Sequence, residues 1–390
     1  MDALAGSPLG WLCAGVTALF GATVLCMVKR SPAEKVSVLV WSLLPALLGL
    51  LCVPTLGACG GLLVFCGACL VSSVHLGGMA PLPVGDKAVL ITGSDTGIGH
   101  ALAKYLDNLG FIVFAGVLNK DGPGAEELRR TCSQRLSLLQ LDITNPTQVK
   151  EAYLQVSEKV QNTGLWGVVN NAGILGFPAD GELLPMSMYR QCMEVNFFGA
   201  VEVSKTFLPL LRKSRGRLVN MSSMTGGIPL PRYAAYGASK AALSMFSGVM
   251  RQELSKWGIK VATIHPSGFS TGIQGTSELW VKQEKELVEH LTADVRQDYG
   301  EDYLLGLKSY LLQIPAYCDA DLSPVLSCIL HALLAKRPHG LYTPGKGAYV
   351  LLCIFCYFPL WLYDFFISKS LSLESVPRAL RTLEAENKNL

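Results

Sequence analysis

Strong charge of either sign is missing from this sequence. Its 33 Lys and Arg nearly balance its 30 Asp and Glu, leaving a net +3 over 390 residues. A nucleic-acid groove or a polyacidic partner needs a more lopsided surface, so no nucleic acid is expected. A disulfide framework is missing too. Of the twelve cysteines, six (Cys13, Cys26, Cys52, Cys59, Cys66, Cys69) crowd the first seventy residues. The four in the middle (Cys132, Cys192, Cys318, Cys328) follow no framework spacing. Nothing therefore requires an oxidising compartment. Cys66/Cys69 and Cys353/Cys356 have the gap of a metal or redox motif, but no histidine or charge stands close by. They read as small apolar residues, and no metal is expected. Internal repeats and low-complexity tracts are also lacking.

What is plentiful is apolar sequence. Half of the residues are hydrophobic, and the mean hydropathy of +0.35 is high for a soluble chain. The excess lies before residue 80 and after residue 347. Apolar runs cover Leu9 to Val28, Val36 to about Leu56, and Gly57 to Val74. Each is near the length of a membrane span. Lys29, Arg30 and Lys35 follow the first run, which places them in the cytosol by the positive-inside rule. Three spans then leave the rest of the chain cytosolic, and two leave it lumenal. Three are expected here, although the third opens on the weak helix formers Gly57-Ala58-Cys59-Gly60-Gly61. A last run, Ala348–Phe366, is broken by Pro359 and carries Tyr357, Trp361, Tyr363 and Asp364, which suits a membrane interface. The organisation expected is a membrane anchor at 1–80, a globular domain at 81–346, and an interfacial segment with a polar, mobile tail at 347–390.

Past Pro81-Leu82-Pro83, short apolar runs alternate with amphipathic ones, as in a doubly wound parallel-sheet Rossmann α/β fold. About seven strands are predicted: Ala88–Thr92, Phe111–Val117, Leu136–Leu141, Trp166–Asn170, Arg217–Met221, Lys260–His265 and a short one at Leu341–Thr343. Runs this continuously apolar are buried on both faces, as parallel strands are. Between the last two strands, Thr276–Tyr317 turns polar and carries Trp280, Tyr299, Tyr303 and Tyr310. An insertion there overlies the C-terminal edge of the sheet, so it is a candidate substrate lid.

Thr92-Gly93-Ser94-Asp95-Thr96-Gly97-Ile98-Gly99 follows the first strand and opens a helix. Glycines keep such a turn tight, and the helix N-terminus offers free N–H groups and a positive dipole to a pyrophosphate. Three more stretches fall at strand C-termini on the same rim. Asp142 and Ile143 end the third strand, where a carboxylate can accept from an adenine amino group. Asn171, Ala172 and Gly173 follow the fourth. Pro266 to Thr271 follows the sixth, where the Thr271 hydroxyl can hold a nicotinamide amide. The acid expected at the end of the second strand is absent, since Val117-Leu118-Asn119 stands there. Lys120 would suit a ribose phosphate, but Asp95 in the glycine loop would repel it. The cofactor expected is NAD.

Tyr236 and Lys240 are four residues apart, so a helix puts them on one face. An ammonium beside a phenol favours the phenolate, which should bring the tyrosine pKa down from about 10 toward neutral. Such a tyrosine can take a proton from an alcohol. Ser223, at the end of the fifth strand, is spaced to hydrogen-bond the substrate oxygen beside Tyr236. Lys240 is placed to bind the nicotinamide ribose, and Asn196 to anchor a water leading from Lys240 to solvent.

In this order and spacing, Thr92–Gly99, Asn170–Gly173, Asn196, Ser223, Tyr236 and Lys240 resemble the short-chain dehydrogenase/reductase family over about residues 84–345. Flanking stretches such as Glu253-Leu254-Ser255-Lys256-Trp257-Gly258 and Tyr342-Thr343-Pro344-Gly345-Lys346-Gly347 look like those of its membrane-bound hydroxysteroid dehydrogenases. The resemblance implies NAD-dependent oxidation of 17-beta-hydroxysteroids, such as estradiol to estrone and testosterone to androstenedione, and of a 20-alpha-hydroxyprogestin. It implies a homodimer through the Asn196 and Tyr236 helices, residing in the endoplasmic reticulum membrane. Two departures stand out: Ser267 replaces the family's glycine after Pro266, and the tail Asn387-Lys388-Asn389-Leu390 lacks paired retrieval lysines. Retinol and 11-beta-hydroxysteroid oxidation are the rival activities. A catalytically idle, membrane-tethered binding protein is the rival of another class.

Overall fold

A computed structural model describes residues 8–30, 35–78, 81–274, 277–314, 318–370 and 376–381. They form two units, one of Met1–Pro83 with Leu330–Pro338, the other of Val84–Ile329 with His339–Leu390. The first unit is built on helices α1 (Pro8–Arg30) and α2 (Lys35–Gly78). Phe20, Val38 and Cys69 are buried between them, with Val16, Val24, Trp41 and Phe65 packed around. The second and third apolar runs are two helical segments of α2 joined at Gly57, whose φ of 69° and ψ of 176° are not helical. Among the described residues, no helix is long and apolar enough to cross a membrane. The side chains of Lys29, Arg30 and Lys35, and the tail 387–390, lie outside the described residues. The described cysteines are all free, and no metal-binding cluster occurs among the described residues.

The second unit runs β1 (Ala88–Ile91), α3 (Gly97–Asn108), β2 (Ile112–Val117), α4 (Pro123–Thr131), β3 (Leu136–Gln140), α5 (Pro146–Lys159), β4 (Gly167–Asn170), α6 (Met186–Met193), α7 (Ala200–Ser214), β5 (Arg217–Met221), α8 (Ala234–Glu253) and β6 (Lys260–Ile264). Then come α9 (Ser277–His290), α10 (Ala293–Tyr299), α11 (Glu301–Gln313), α12 (Ser323–Leu334, whose last turn falls in the first unit), β7 (Leu341–Tyr342), α13 (Ala348–Tyr357) and α14 (Leu360–Ser370). The strands pair in parallel in the order β3-β2-β1-β4-β5-β6-β7. Each lies within a residue of its predicted bounds at either end.

All four residues of β1 are buried. Leu90, Phe114, Val168, Leu218 and Val261 from five strands meet Val149, Val156, Val203 and Phe207 from α5 and α7. Each such side chain contributes roughly 1.5–3 kcal/mol by leaving water. From β1 the chain moves to β2 on one side and later adds β4 on the other. The sheet order therefore reverses between β1 and β4, and a crevice opens at their C-terminal ends.

Two additions flank that edge. Trp280, Tyr299 and Tyr303, from α9 to α11, pack with Phe177, Leu183 and Met188 from the segment after β4. The expected lid is thus a three-helix insertion, with Thr276 and Tyr317 outside the described residues. At the C-terminus, α13 and α14 pack Leu351, Leu352, Phe355, Tyr363 and Ile367 against Ile228 and Leu230. The Tyr363 hydroxyl donates to the Pro229 carbonyl. The outer face of this hairpin keeps Tyr357 and Trp361 83% and 69% exposed.

Candidate active site

The glycine loop is stapled to the end of β4. The Thr92 hydroxyl accepts from the amides of Asn171 and Ala172, each at 3.0 Å. The Asn171 side chain donates to the carbonyls of Thr92 and Gly93 at 2.9 and 3.0 Å. Gly93 has φ 67°, and a Cβ there would stand 2.8 Å from the Ala172 backbone. Gly99 allows a closer approach: its Cβ would lie 2.2 Å from the Gly93 carbonyl oxygen. Helix α3 then starts after Thr96 with no side-chain cap. Its first N–H groups remain for a ligand in the adjoining cavity.

That cavity, of about 620 Å³, is lined by Gly93, Asp95, Gly97, Ile98, Asp142, Ile143, Asn171, Ala172, Gly173 and Thr271, among others. Uncapped amides, small residues and a carboxylate at the far end fit a dinucleotide. Asp142 holds the Thr144 amide and hydroxyl on one oxygen, at 2.9 and 2.7 Å. Asp95 reaches the end of β2, where its carboxylate accepts from Leu118 N at 3.0 Å and Asn119 N at 3.4 Å. The acid missing from that strand end is therefore supplied from the glycine loop.

The catalytic candidates converge across β5 and α8. The Ser223 hydroxyl accepts from Thr225 N at 3.2 Å and lies close enough to Tyr236 to favour its phenolate. Lys240 Nζ donates to the Met221 carbonyl at 2.8 Å and stands 5.8 Å from the Tyr236 ring centroid. Asn196 is fully buried. It sits in a π-helical turn, Glu194–Gly199, between α6 and α7, where a regular helix was expected. Such turns gather at functional sites. Its Oδ1 accepts from Ile174 N at 2.8 Å, and its Nδ2 donates to Ile174 O and Ser239 Oγ, each at 2.9 Å. A Cβ on Gly173 would lie 3.0 Å from Asn196 Oδ1 and 3.1 Å from Lys240 Nζ, so these two groups meet at that glycine.

One expectation is corrected. Burial, partly countered by the Ser223 hydrogen bond, pushes the Tyr236 phenol up to about 12 rather than toward neutral. Burial also lowers Lys240 to about 8. Desolvation penalises the charged form of each group more than their proximity favours it. Pro266, Ser267 and Thr271 line a second cavity of about 410 Å³ with Ser223, Tyr236 and Lys240. Its other walls include Leu175, Met224, Leu230, Phe269 and Ile314. Ile98, Asn171, Thr271 and Ile273 border both cavities, so the two adjoin.

A family model described as short chain dehydrogenase matches residues 87–282. The chain belongs to this family. 17-beta-hydroxysteroid dehydrogenase type 2 of Homo sapiens is 56% identical to it over 378 residues, 96% of each chain. 11-beta-hydroxysteroid dehydrogenase type 2 of Bos taurus is 46% identical over 300 residues, 77% of this chain and 74% of that one. The structure of a short-chain dehydrogenase from Streptomyces avermitilis has a TM-score of 0.58 at 21% identity, over 74% of this chain and 98% of that one. That likeness is one of fold. The protein is accordingly a short-chain oxidoreductase.

Within this dehydrogenase most of the residues picked from the sequence line one cavity or the other, whereas Thr92, Gly99 and Asn196 line neither. Ser267 leaves the turn after Pro266 intact: its amide donates to Pro344 O at 3.0 Å. Gly345 makes room, since a Cβ there would fall 1.9 Å from Ser267 Oγ. The apolar cavity wall escaped the sequence reading. So did Tyr233, although it stands three residues before Tyr236 and thus on the same helical face.

Proposed function

We propose that this enzyme is an NAD-dependent 17-beta-hydroxysteroid dehydrogenase working in the oxidative direction. The observation that carries the reading is 56% identity across 96% of both chains to a relative bearing that activity in its name. The site supports it: an apolar cavity opens onto a Ser–Tyr–Lys cluster. The substrate hydroxyl is held between Ser223 and Tyr236. When bound, oxidised nicotinamide supplies the hydride acceptor and a positive charge. Ionised Tyr236 takes the hydroxyl proton as the carbinol C–H bond gives up its hydride and the C=O bond forms. Lys240 steadies the phenolate, and the proton leaves past Lys240 through a water held at Asn196. NAD is preferred because Asp95 places negative charge at the end of β2, where a ribose phosphate would sit.

Estradiol and testosterone are the substrates proposed, with a 20-alpha-hydroxyprogestin beside them. Attachment to the endoplasmic reticulum membrane, with the catalytic unit cytosolic, rests on the apolar runs before residue 75 and the exposed aromatics of α13 and α14. A homodimer through the π turn and α8 rests on the exposed Phe198, Met245 and Val249. Relatives at 46% identity make 11-beta-hydroxysteroid oxidation the second reading. Isolated membranes given estradiol, cortisol and retinol, each with NAD and with NADP, test these proposals. Turnover confined to estradiol with NAD supports the first. Preference for cortisol or retinol overturns it.

A further inference from the structure

Arg232 is an unusual residue in an unusual place. It has φ 71°, one of two positive-φ residues other than glycine among the described residues. That conformation is uncommon for a long side chain, and it draws attention where it borders a site. Arg232 immediately precedes Tyr233, and it is only 6% exposed. Its guanidinium carbon stands 4.1 Å over the ring of Tyr310, which comes from lid helix α11. Burial, with Tyr310 close by, raises the Tyr233 phenol above its usual range. Both tyrosines line the cavity that holds Ser223 and Tyr236. The rings of Tyr233 and Tyr236 meet edge to face with centroids 6.5 Å apart, so the wall continues from the reacting phenol through Tyr233.

Two phenols on one cavity wall carry two O–H donors. The lid does not depend on this pair for its fastening. Tyr303 donates to Asp180 at 2.6 Å, Tyr299 to Glu182 at 3.0 Å, and Glu286 accepts from Ser187 at 2.9 Å. A polar pair in a wall that includes Leu230, Phe269 and Ile314 has a different use.

We propose that Tyr233 and Tyr310, the latter stacked under Arg232, read the substrate by donating an O–H to a second oxygen at the end of the molecule remote from the oxidised carbon. This deepens the hydroxysteroid reading and rests on it. A site built to hydrogen-bond an oxygen rejects the analogue that lacks it far more strongly than an apolar wall does.

The test compares estradiol with 3-deoxyestradiol on full-length enzyme in membranes. Wild type should favour estradiol in kcat/KM by about 10-fold or more. Tyr233→Phe, Tyr310→Phe and the double variant keep the rings and the Arg232 stacking. In them the preference should shrink to within about 2-fold, mainly through KM for estradiol, with turnover of the deoxy compound and KM for NAD unchanged. A preference that persists in the double variant overturns the proposal, as does an equal loss with both steroids. Failure of wild type to oxidise either steroid overturns the hydroxysteroid reading itself.

Discussion

The two cavities that meet at Ile98, Asn171, Thr271 and Ile273 are built from different materials. The cofactor side is made mostly of residues that follow a strand end, four of them glycines, with Gln191, Glu194 and Val195 added from α6 and the π turn. Its geometry follows from the sheet: once β1 and β4 are neighbours, Thr92 and Asn171 must face each other. The substrate side is made of side chains from β5, α8, the turn after β6 and the lid, nearly a hundred residues apart in sequence. Its shape depends on how those elements pack. Conserving chemistry on one side and varying shape on the other is thereby possible within a single fold.

The largest expected effect falls where the two sides touch. Tyr236→Phe removes the proton acceptor and should lower kcat by roughly 10²–10⁴-fold. NAD binding, followed by fluorescence titration, should change little, because the glycine loop is untouched. Wild-type oxidation should rise with pH as the phenol ionises, since burial holds it near 12 without ligand and the oxidative step needs the base. A Tyr236→Phe enzyme retaining a tenth of wild-type turnover would refute the assignment of the base.

How much of this was legible in the sequence divides along the same line. The strands were readable because buried parallel strands are continuously apolar, and the glycine loop because its turn admits few residue types. Thr271 and Asp142 followed from their positions after strands. The Tyr236 pKa was not readable, because the spacing gives the Coulomb partner but not the burial that outweighs it. The π turn around Asn196 was not readable either, since no spacing in Glu194–Gly199 marks it. Leu230 and Ile314 join the cavity only by tertiary packing. Tyr363, read as an interfacial aromatic, is 1% exposed because it docks on the loop carrying Pro229.

The next effect tests the layer behind Ser222 on the substrate side. His265 is buried, and its Nε2 lies 2.9 Å from Ser244 Oγ, which in turn is 2.8 Å from Ser222 Oγ. Burial lowers its pKa to about 4, against 6.5 for the free side chain. Above pH 6.5 both folded and unfolded chains hold it neutral, and it costs nothing. As pH falls from 6.5 to 4 the unfolded chain gains a proton that the folded one refuses, so stability falls. The full loss, on the order of 3 kcal/mol, is reached below about pH 4. Thermal melts between pH 7 and 4.5 should show it, and His265→Gln should flatten the slope.

Gly99→Ala probes the cofactor side. The new Cβ meets the Gly93 carbonyl, a backbone atom fixed by the Asn171 side chain. Overpacking of this kind costs about 1–3 kcal/mol. The melting temperature should drop, and KM for NAD should rise more than KM for the steroid. Ile314→Ala is the matching change across the boundary and should raise only the steroid KM. Equal effects of both variants on both ligands would mean that the two cavities are mechanically one.

The smallest effect concerns which dinucleotide is used. Asp95 does two jobs: its carboxylate carries charge at the end of β2, and it accepts from the Leu118 and Asn119 amides. Asp95→Asn removes the charge but keeps one acceptor, whereas Asp95→Ala removes both. If charge sets the preference for NAD, both variants should improve kcat/KM for NADP by about 3–10-fold, in line with removal of one partly solvated repulsion of roughly 1 kcal/mol. If the hold on the strand end matters more, only Asp95→Ala should weaken NAD. Lys120 follows the same amides and becomes the nearest new partner for a ribose phosphate, so Asp95→Asn with Lys120→Ala should lose the NADP gain. The contrast between the halves then becomes sharper, because a single side chain sets cofactor choice on a surface built from strand ends, while substrate choice is spread over many.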